Sequence, residues 1–381
     1  MVRVARVTGS PASLADGWPA DHDASRERFA RLARAAGART GSRPLEAVGP
    51  GGEALSVDVA ALGPERPAHL VVLTGAVHGV EGFLGGHVQA LALERLAHRG
   101  LPDGVGVACV HAVNPWGFAH LRRVDEGNVD VNRNLFGPGE PGAAPNPGYA
   151  ALDPLLNPTG PPTLASDLAF RPRALGWIAR DRGTASLAKA VAEGQDRFPK
   201  GLFFAGIEAG EASRTLQALL AELTSGAGRV THLDLHTGLG PAGALTPIAR
   251  TNVGAPAGRV ERLRAHYRRP VRLDDAADNP YDARGTLARW YGRALAGVPF
   301  LYLCVEIGTV NPLAVLAALR RENRAHHWAA PGSAPHVRAR RALVEAFSPD
   351  SRRWRERSTA EALHALERTL ALALHAREAG A

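Results

Sequence analysis

Four side chains in this sequence are of types that bind a metal or move a proton, and all stand where apolar runs end. His78 and Glu81 stand at the end of HLVVLTGAVHG and just past it, His236 closes GRVTHLDLH, and Glu306 closes VPFLYLCVE. In open α/β sheets ligand sites gather at the carboxyl ends of the strands, so the four are expected to converge. Imidazole and carboxylate are both zinc ligands, and a catalytic zinc site takes three protein ligands and keeps one position open. His78 and Glu81 form an H-x-x-E pair in a loop, and His236 is the best candidate for the third ligand. One Zn2+ per chain is expected. A carboxylate closing an apolar strand is costly unless it has partners or a task. Near a partly apolar cleft the pKa of Glu306 would rise, which suits it to take a proton from zinc-bound water. Taken singly these signals are weak: His78 would cap a turn, Glu81 would start a helix, and Glu306 would cap the turn at Gly308. The set is stronger than its members. Asp234, two residues before His236, shares its strand face and is either a partner of the site or a buried structural carboxylate. His232 has the same parity but lies deeper, where a structural role is expected.

A second polar stretch runs through Asn114-Pro-Trp-Gly-Phe118 and then from Arg122 to Asn134, RRVDEGNVDVNRN. Arginine forks bind carboxylates in bidentate fashion and stabilise a developing oxyanion. The alternative is a solvated loop whose arginines pair with Asp125, Glu126 and Asp130.

The elements that must position these residues follow from periodicity. Residues 22–36 read as an amphipathic helix, and Gly51 and Gly52 mark a turn before the strand ALSVDVA. HLVVLTG, the helical FLGGHVQALALERLAH and the strand GVGVACVH make a β-loop-α-β unit, the signature of a parallel, helix-covered sheet. Residues 137–176, rich in Pro and Gly, are expected to form a long loop or insertion. Helical patterns return at 186–193 and 213–223, a third and a fourth buried strand end at His236 and Glu306, and the chain after Asn311 is mostly helical, with a long last helix from about Thr359. The whole reads as one domain over 1–381, with a helical C-terminal segment over 311–381.

Composition allows a sizeable core, since 45% of the 381 residues are hydrophobic. The net charge is +8, and 43 of the 45 basic residues are arginine. Between residues 316 and 377 there are 12 arginines against 6 acids, so the surplus is expected on solvated faces of the C-terminal helices. The competing class, a non-catalytic basic protein that binds nucleic acid, finds no supporting motif. Cys109 and Cys304 lie in apolar runs and read as buried free thiols. No secretory signal and no run of roughly 20 apolar residues is seen. A cytoplasmic protein without membrane or specific nucleic-acid partners is expected.

The order HGVEGF, NPWGFA, VDVNRN, DLHTGLG and EIGT resembles the M14 zinc carboxypeptidase superfamily and, more closely, its DUF2817 branch. The likeness reaches the N-terminal SRERF helix, DVAALG and GQDRFPKGLFFAG, and spans most of residues 20–330. It implies a mixed, mostly parallel α/β sheet of about eight strands sandwiched by helices. It implies His78, Glu81 and His236 as zinc ligands and Glu306 as general base. Asn132 and Arg133 would grip a substrate's terminal carboxylate, and Arg123, with Arg122 adjacent, would polarise the scissile carbonyl. For the mobile tyrosine of carboxypeptidases the best candidate is Tyr281. The implied substrate is a small peptide or acyl-amino acid with a free carboxylate. HTGLG is also similar to the succinylglutamate desuccinylase and aspartoacylase branch, whose members remove acyl groups from amino acids.

Overall fold

Apolar runs bounded by glycine and proline become strands because burial on both faces leaves no polar alternation to preserve. The computed structural model describes residues 13–378, except 138, 139, 141, 143, 144, 181–183, 253–258 and 275–282. Its strands are β1 (Arg39–Val48), β2 (Ala54–Leu62), β3 (His69–Gly75), β4 (Val105–His111), β5 (Val230–Ala242), β6 (Leu245–Thr251), β7 (Arg272–Leu273) and β8 (Phe300–Gly308). They form one eight-stranded sheet in the order β1-β2-β4-β3-β5-β8-β6-β7. The central β4, β3, β5 and β8 are parallel, while β1, β2 and β6 join antiparallel. From β3 the chain crosses to β4 on one side; from β5 it continues to β8 on the other. The carboxyl ends of β3 and β5 therefore flank a switch point of the topology, where a crevice opens.

The helices are α1 (His22–Ala35), α2 (Gly82–Arg99), α3 (Pro115–Ala119), α4 (Pro147–Leu156), α5 (Leu164–Arg180), α6 (Thr184–Ala192), α7 (Glu211–Thr224), α8 (Arg259–Tyr267), α9 (Leu287–Ala294), α10 (Pro312–Trp328), α11 (Ala334–Phe347) and α12 (Arg352–Glu378). Strand alternation splits the core. Val71, Leu73, Leu233 and Leu303 pack with α1, α2 and α12, whereas Leu70, Val72, Val230 and Tyr302 pack with α7 and α9. A third cluster joins α4, α5, α6, α10 and α11 to Val80.

Several expectations change. The Pro/Gly-rich stretch 137–176 contains α4 and most of α5 instead of an open loop. Pro147 occupies the first turn of α4, where no N–H is needed, behind the Asn146 side-chain cap. The stretch is held down by arginines: Arg320 donates to Leu155 O and Ser166 Oγ, and Arg324 donates to Ser166 Oγ and Thr159 O. Arg320 and Arg324 are thus buried, not on a solvated face. The last helix begins at Arg352, ahead of the expected Thr359, because Trp354 is buried in its first turn and donates to Gly308 O at 2.9 Å. β5 runs past His236 to Ala242, with a bulge in its pairing to β8 after Thr237. Cys109 is buried, but Cys304 is only partly so. Among the described residues no helix is long and apolar enough to cross a membrane.

Candidate metal centre

The loop after β3 packs so closely on α3 that side chains are excluded at Gly79 and Gly82. A Cβ on Gly79 would lie 2.0 Å from the Gly117 carbonyl carbon, and one on Gly82 would lie 2.4 Å from the Phe118 ring. This explains the glycines of HGVEGF and NPWGF as a matched pair of surfaces. Gly79 N and Val80 N bond to the carbonyls of Arg123 and Arg122, which brings the arginine stretch alongside. Five non-glycine residues have positive φ among the described residues, and Ala76, Leu121, Asn128 and Phe203 are four of them. Such conformations persist where surrounding structure holds them, and they cluster at functional sites. Here they sit on the segments framing the crevice.

His78, Glu81 and His236 meet there, all buried, with candidate ligand atoms within 4.8 Å of one another. His78 Nδ1 is 2.9 Å from Glu81 Oε1, His236 Nδ1 is 3.0 Å from Glu81 Oε2, and the two Nδ1 atoms are 3.2 Å apart. Tetrahedral ligands at roughly 2.0–2.1 Å from a zinc ion stand about 3.3 Å from one another. The donor set and its spacing therefore fit a zinc ion, and the two facing ring nitrogens need a shared cation or proton between them. Thr237 N donates to Glu81 Oε2 at 3.0 Å, which fixes the carboxylate.

His236 turns its other nitrogen to a buried carboxylate, the arrangement that orients metal-binding imidazoles, while that of His78 lies between a buried carboxylate and Arg123. His236 Nε2 is 2.8 Å from Asp234 Oδ2, and His78 Nε2 is 3.2 Å from Asp130 Oδ1. Burial opposes ionisation of Asp130, but Arg123, His78 and Arg133 outweigh it and hold the carboxyl well below the carboxylate range. Burial likewise opposes a charge on Asp234, and His236 more than offsets it. For His236 burial acts downward, yet Asp234 and Glu81 raise its pKa well above the usual value. In the sequence Asp130 figures only as a charge partner for arginine. Its position two residues before Asn132, in a turn where it also accepts from Asn132 N, was the available signal.

Glu306 is the register partner of His236 on the adjacent strand β8. Its Oε1 accepts from Leu239 N at 2.8 Å, a donor supplied by the bulge that follows Thr237. Burial, then the charge of Glu81, raises its pKa to about 7. It keeps part of its surface open to solvent.

The two arginines part company. Arg123 lies over the Phe203 ring, with Nη2 at 2.7 Å from His78 Nε2 and Nε at 3.2 Å from Asp130 Oδ2. Arg122 turns away into a fully buried pair with Glu322 of α10, at 2.8 Å, and also donates to Asn128 and Asn323. Asn132 Oδ1 accepts from Leu287 N at the start of α9, and Arg133 donates Nε to Ala192 O and Nη1 to Asn132 O. No protein acceptor among the described residues takes Asn132 Nδ2 or Arg133 Nη2. Tyr281 lies outside the described residues.

Solved structures of known proteins resemble this chain to different degrees. The chain is similar to bovine thrombin-activatable fibrinolysis inhibitor, solved with tick carboxypeptidase inhibitor, at 8% identity and a TM-score of 0.51, covering 94% of this chain and 98% of that one. It is also similar to carboxypeptidase A from Helicoverpa armigera (11% identity, TM-score 0.46, 87% and 75% covered). A third likeness is to the succinylglutamate desuccinylase from Chromobacterium violaceum (17% identity, TM-score 0.37, 85% and 74% covered). At 8% identity the first of these likenesses speaks to fold alone. No curated protein matches the sequence significantly. Residues 19–361 match the model of the family described as "Protein of unknown function (DUF2817)", and this chain, with its carboxypeptidase-like fold, belongs to that family.

Proposed function

We propose that the protein is a zinc-dependent hydrolase that cleaves an amide bond next to a free carboxylate, in the manner of a carboxypeptidase. The observation that carries the reading is the convergence of His78, Glu81 and His236 at 2.9–3.2 Å, with Glu306 one strand away from His236. When bound, zinc supplies the Lewis acidity that activates water and polarises a carbonyl. Glu306 then serves as the base: it accepts a proton in the crevice and passes it to the departing nitrogen. Arg123, held at the rim by Asp130, offers positive charge to the carbonyl oxygen as it becomes an oxyanion. Asn132 Nδ2 and Arg133 Nη2 form a fork for the substrate carboxylate, with the rest of both side chains already tied to the backbone.

The test is a matched pair of substrates, one with a free C-terminal acid and one amidated, in peptide and N-acyl-amino-acid series. Leaving the fork unpaired is expected to cost on the order of 2–4 kcal/mol, or roughly 30- to 1,000-fold in kcat/KM. Arg133→Ala should narrow that gap. Equal hydrolysis of acid and amide by the wild type would sink the carboxylate anchor. The series that turns over faster decides between a peptidase and a deacylase. Tight, sequence-specific DNA binding at physiological salt with no hydrolysis of either series would instead favour a basic binding protein.

A further inference from the structure

Beneath His236, on the α9 side of the sheet, lies a chain of buried polar groups that the proposed reaction does not use. His236 Nε2 is 2.8 Å from Asp234 Oδ2, and Thr74 Oγ1 is 2.6 Å from Asp234 Oδ1. Thr74 Oγ1 is in turn 2.7 Å from His232 Nε2, and His232 Nδ1 is 2.7 Å from the Tyr291 hydroxyl. Tyr302 donates its hydroxyl to Asp234 Oδ2 at 2.9 Å. All six side chains are buried.

The proton positions along this chain follow from what each group can do. A carboxylate only accepts, so Thr74 must give its hydroxyl hydrogen to Asp234. The Thr74 oxygen can then only accept from His232, which fixes the proton of that ring on Nε2. Burial lowers the His232 pKa to about 4, so the ring is neutral near pH 7 and its Nδ1 is a lone pair. Tyr291, whose ionisation burial strongly opposes, donates to that lone pair. Every donor therefore points along the chain toward Asp234. Asp234 accepts from Thr74 on Oδ1 and from Tyr302 on Oδ2, and, since it can only accept, His236 must present Nε2–H to it as a third donor. With Nε2–H held by Asp234, Nδ1 is the nitrogen of His236 left to face Glu81 and His78 and to take a metal.

We propose that His232 and Tyr291 are positioning residues of the metal centre: acting through Thr74 and Asp234, they fix the tautomer and ring orientation of His236. The inference rests on the reading of His236 as a metal ligand. Its reach is three residues beyond the carboxylate that touches the ligand, through Thr74 and His232 to Tyr291, and it ties the centre to α9, whose first N–H bonds to Asn132.

The experiment measures zinc affinity by chelator competition, and visible spectra of the Co2+-loaded protein, for the wild type and five variants. Asp234→Ala, which strips a group touching the ligand, should lose roughly 10- to 100-fold in affinity. His232→Leu should lose about 3- to 30-fold, and Tyr291→Phe about 2- to 5-fold, as effects passed on through that same carboxylate. Both should shift the cobalt bands. His232→Gln, whose amide N–H can replace Nε2–H toward Thr74, should recover most of the affinity. Tyr267→Phe removes a buried hydroxyl away from the centre, 3.0 Å from Thr369 Oγ1, and should lower thermal stability without moving affinity or spectrum. If the wild type holds no stoichiometric metal, the reading of the centre fails and the proposal with it. If the wild type holds metal while His232→Leu and Tyr291→Phe bind it equally tightly with unchanged cobalt bands, the centre stands and the proposal is overturned. Should His232→Leu fail to fold, Tyr291→Phe carries the same decision.

Discussion

Glu306 shows how one side chain is tuned by its neighbours in the sheet. Burial and the charge of Glu81 raise its pKa to about 7, so in the metal-free protein it is largely protonated below that pH and ionised above it. A base must be ionised to work, so activity should fall as pH drops through its pKa. A cation beside a carboxylate favours the ionised form and lowers that pKa. The acid limb of kcat/KM is therefore expected at or below pH 7, and a limb well above pH 7 would reassign the base. Glu306→Gln keeps the shape and cannot accept the proton; turnover should drop by roughly 10²- to 10⁴-fold with zinc retained. At this scale much was legible in advance. The three candidate ligands and Glu306 stand at the ends of apolar runs, and the fold brings them together. The difference between Arg122 and Arg123 was not legible, because adjacent residues in a loop carry no periodicity to say which one turns inward. The side-chain partners tell them apart: Arg123 finds His78 and Asp130, and Arg122 finds Glu322.

Among the elements, the tie between the arginine stretch and α10 is the most exposed to disruption. Arg122 and Glu322 are both buried, and Arg122 Nη1 finds no acceptor of its own among the described residues. Removing one partner leaves a buried charge without its counter-ion, which costs about 3–5 kcal/mol. Glu322→Gln should therefore lower unfolding free energy in denaturant by about that much, while Arg122→Met with Glu322→Leu should cost far less than the two single changes summed. A single change worth under about 1 kcal/mol would mean that the pair is not desolvated as described. Elements with clean periodicity, among them α1, α2, β3 and β4, lie where the sequence places them. The departures share a cause. In α4 and α12 the opening turns are rich in proline or arginine, and a helix there is decided by Asn146 capping and by Trp354 docking on Gly308, details that hydrophobic periodicity does not carry.

At the scale of the molecule, three donors drawn from a loop and a central strand would, on the proposed reading, make metal binding part of folding stability. A ligand held only by the native state stabilises it by about 2.7 kcal/mol at a free concentration one hundred times its Kd. Stripping zinc with a chelator should lower the unfolding temperature, and restoring zinc should return it. His236→Ala should bind almost no zinc by elemental analysis and should unfold at the same temperature with or without it. A wild type indifferent to chelator would remove the metal from the centre. The placement of those donors also bears on synthesis. His78 and His236 are neighbours in space but 158 residues apart in the chain. A ribosome adding roughly 5–20 residues per second needs about 8–30 seconds to get from one to the other. Throughout that interval the nascent chain offers a metal only two of its three donors and no crevice to hold them in geometry. Donor geometry, more than raw affinity, is what separates one transition metal from another. On the proposed reading, the identity of the ion would thus be settled after β5 has joined the sheet, by the finished fold and by whatever metal the cell then presents to it.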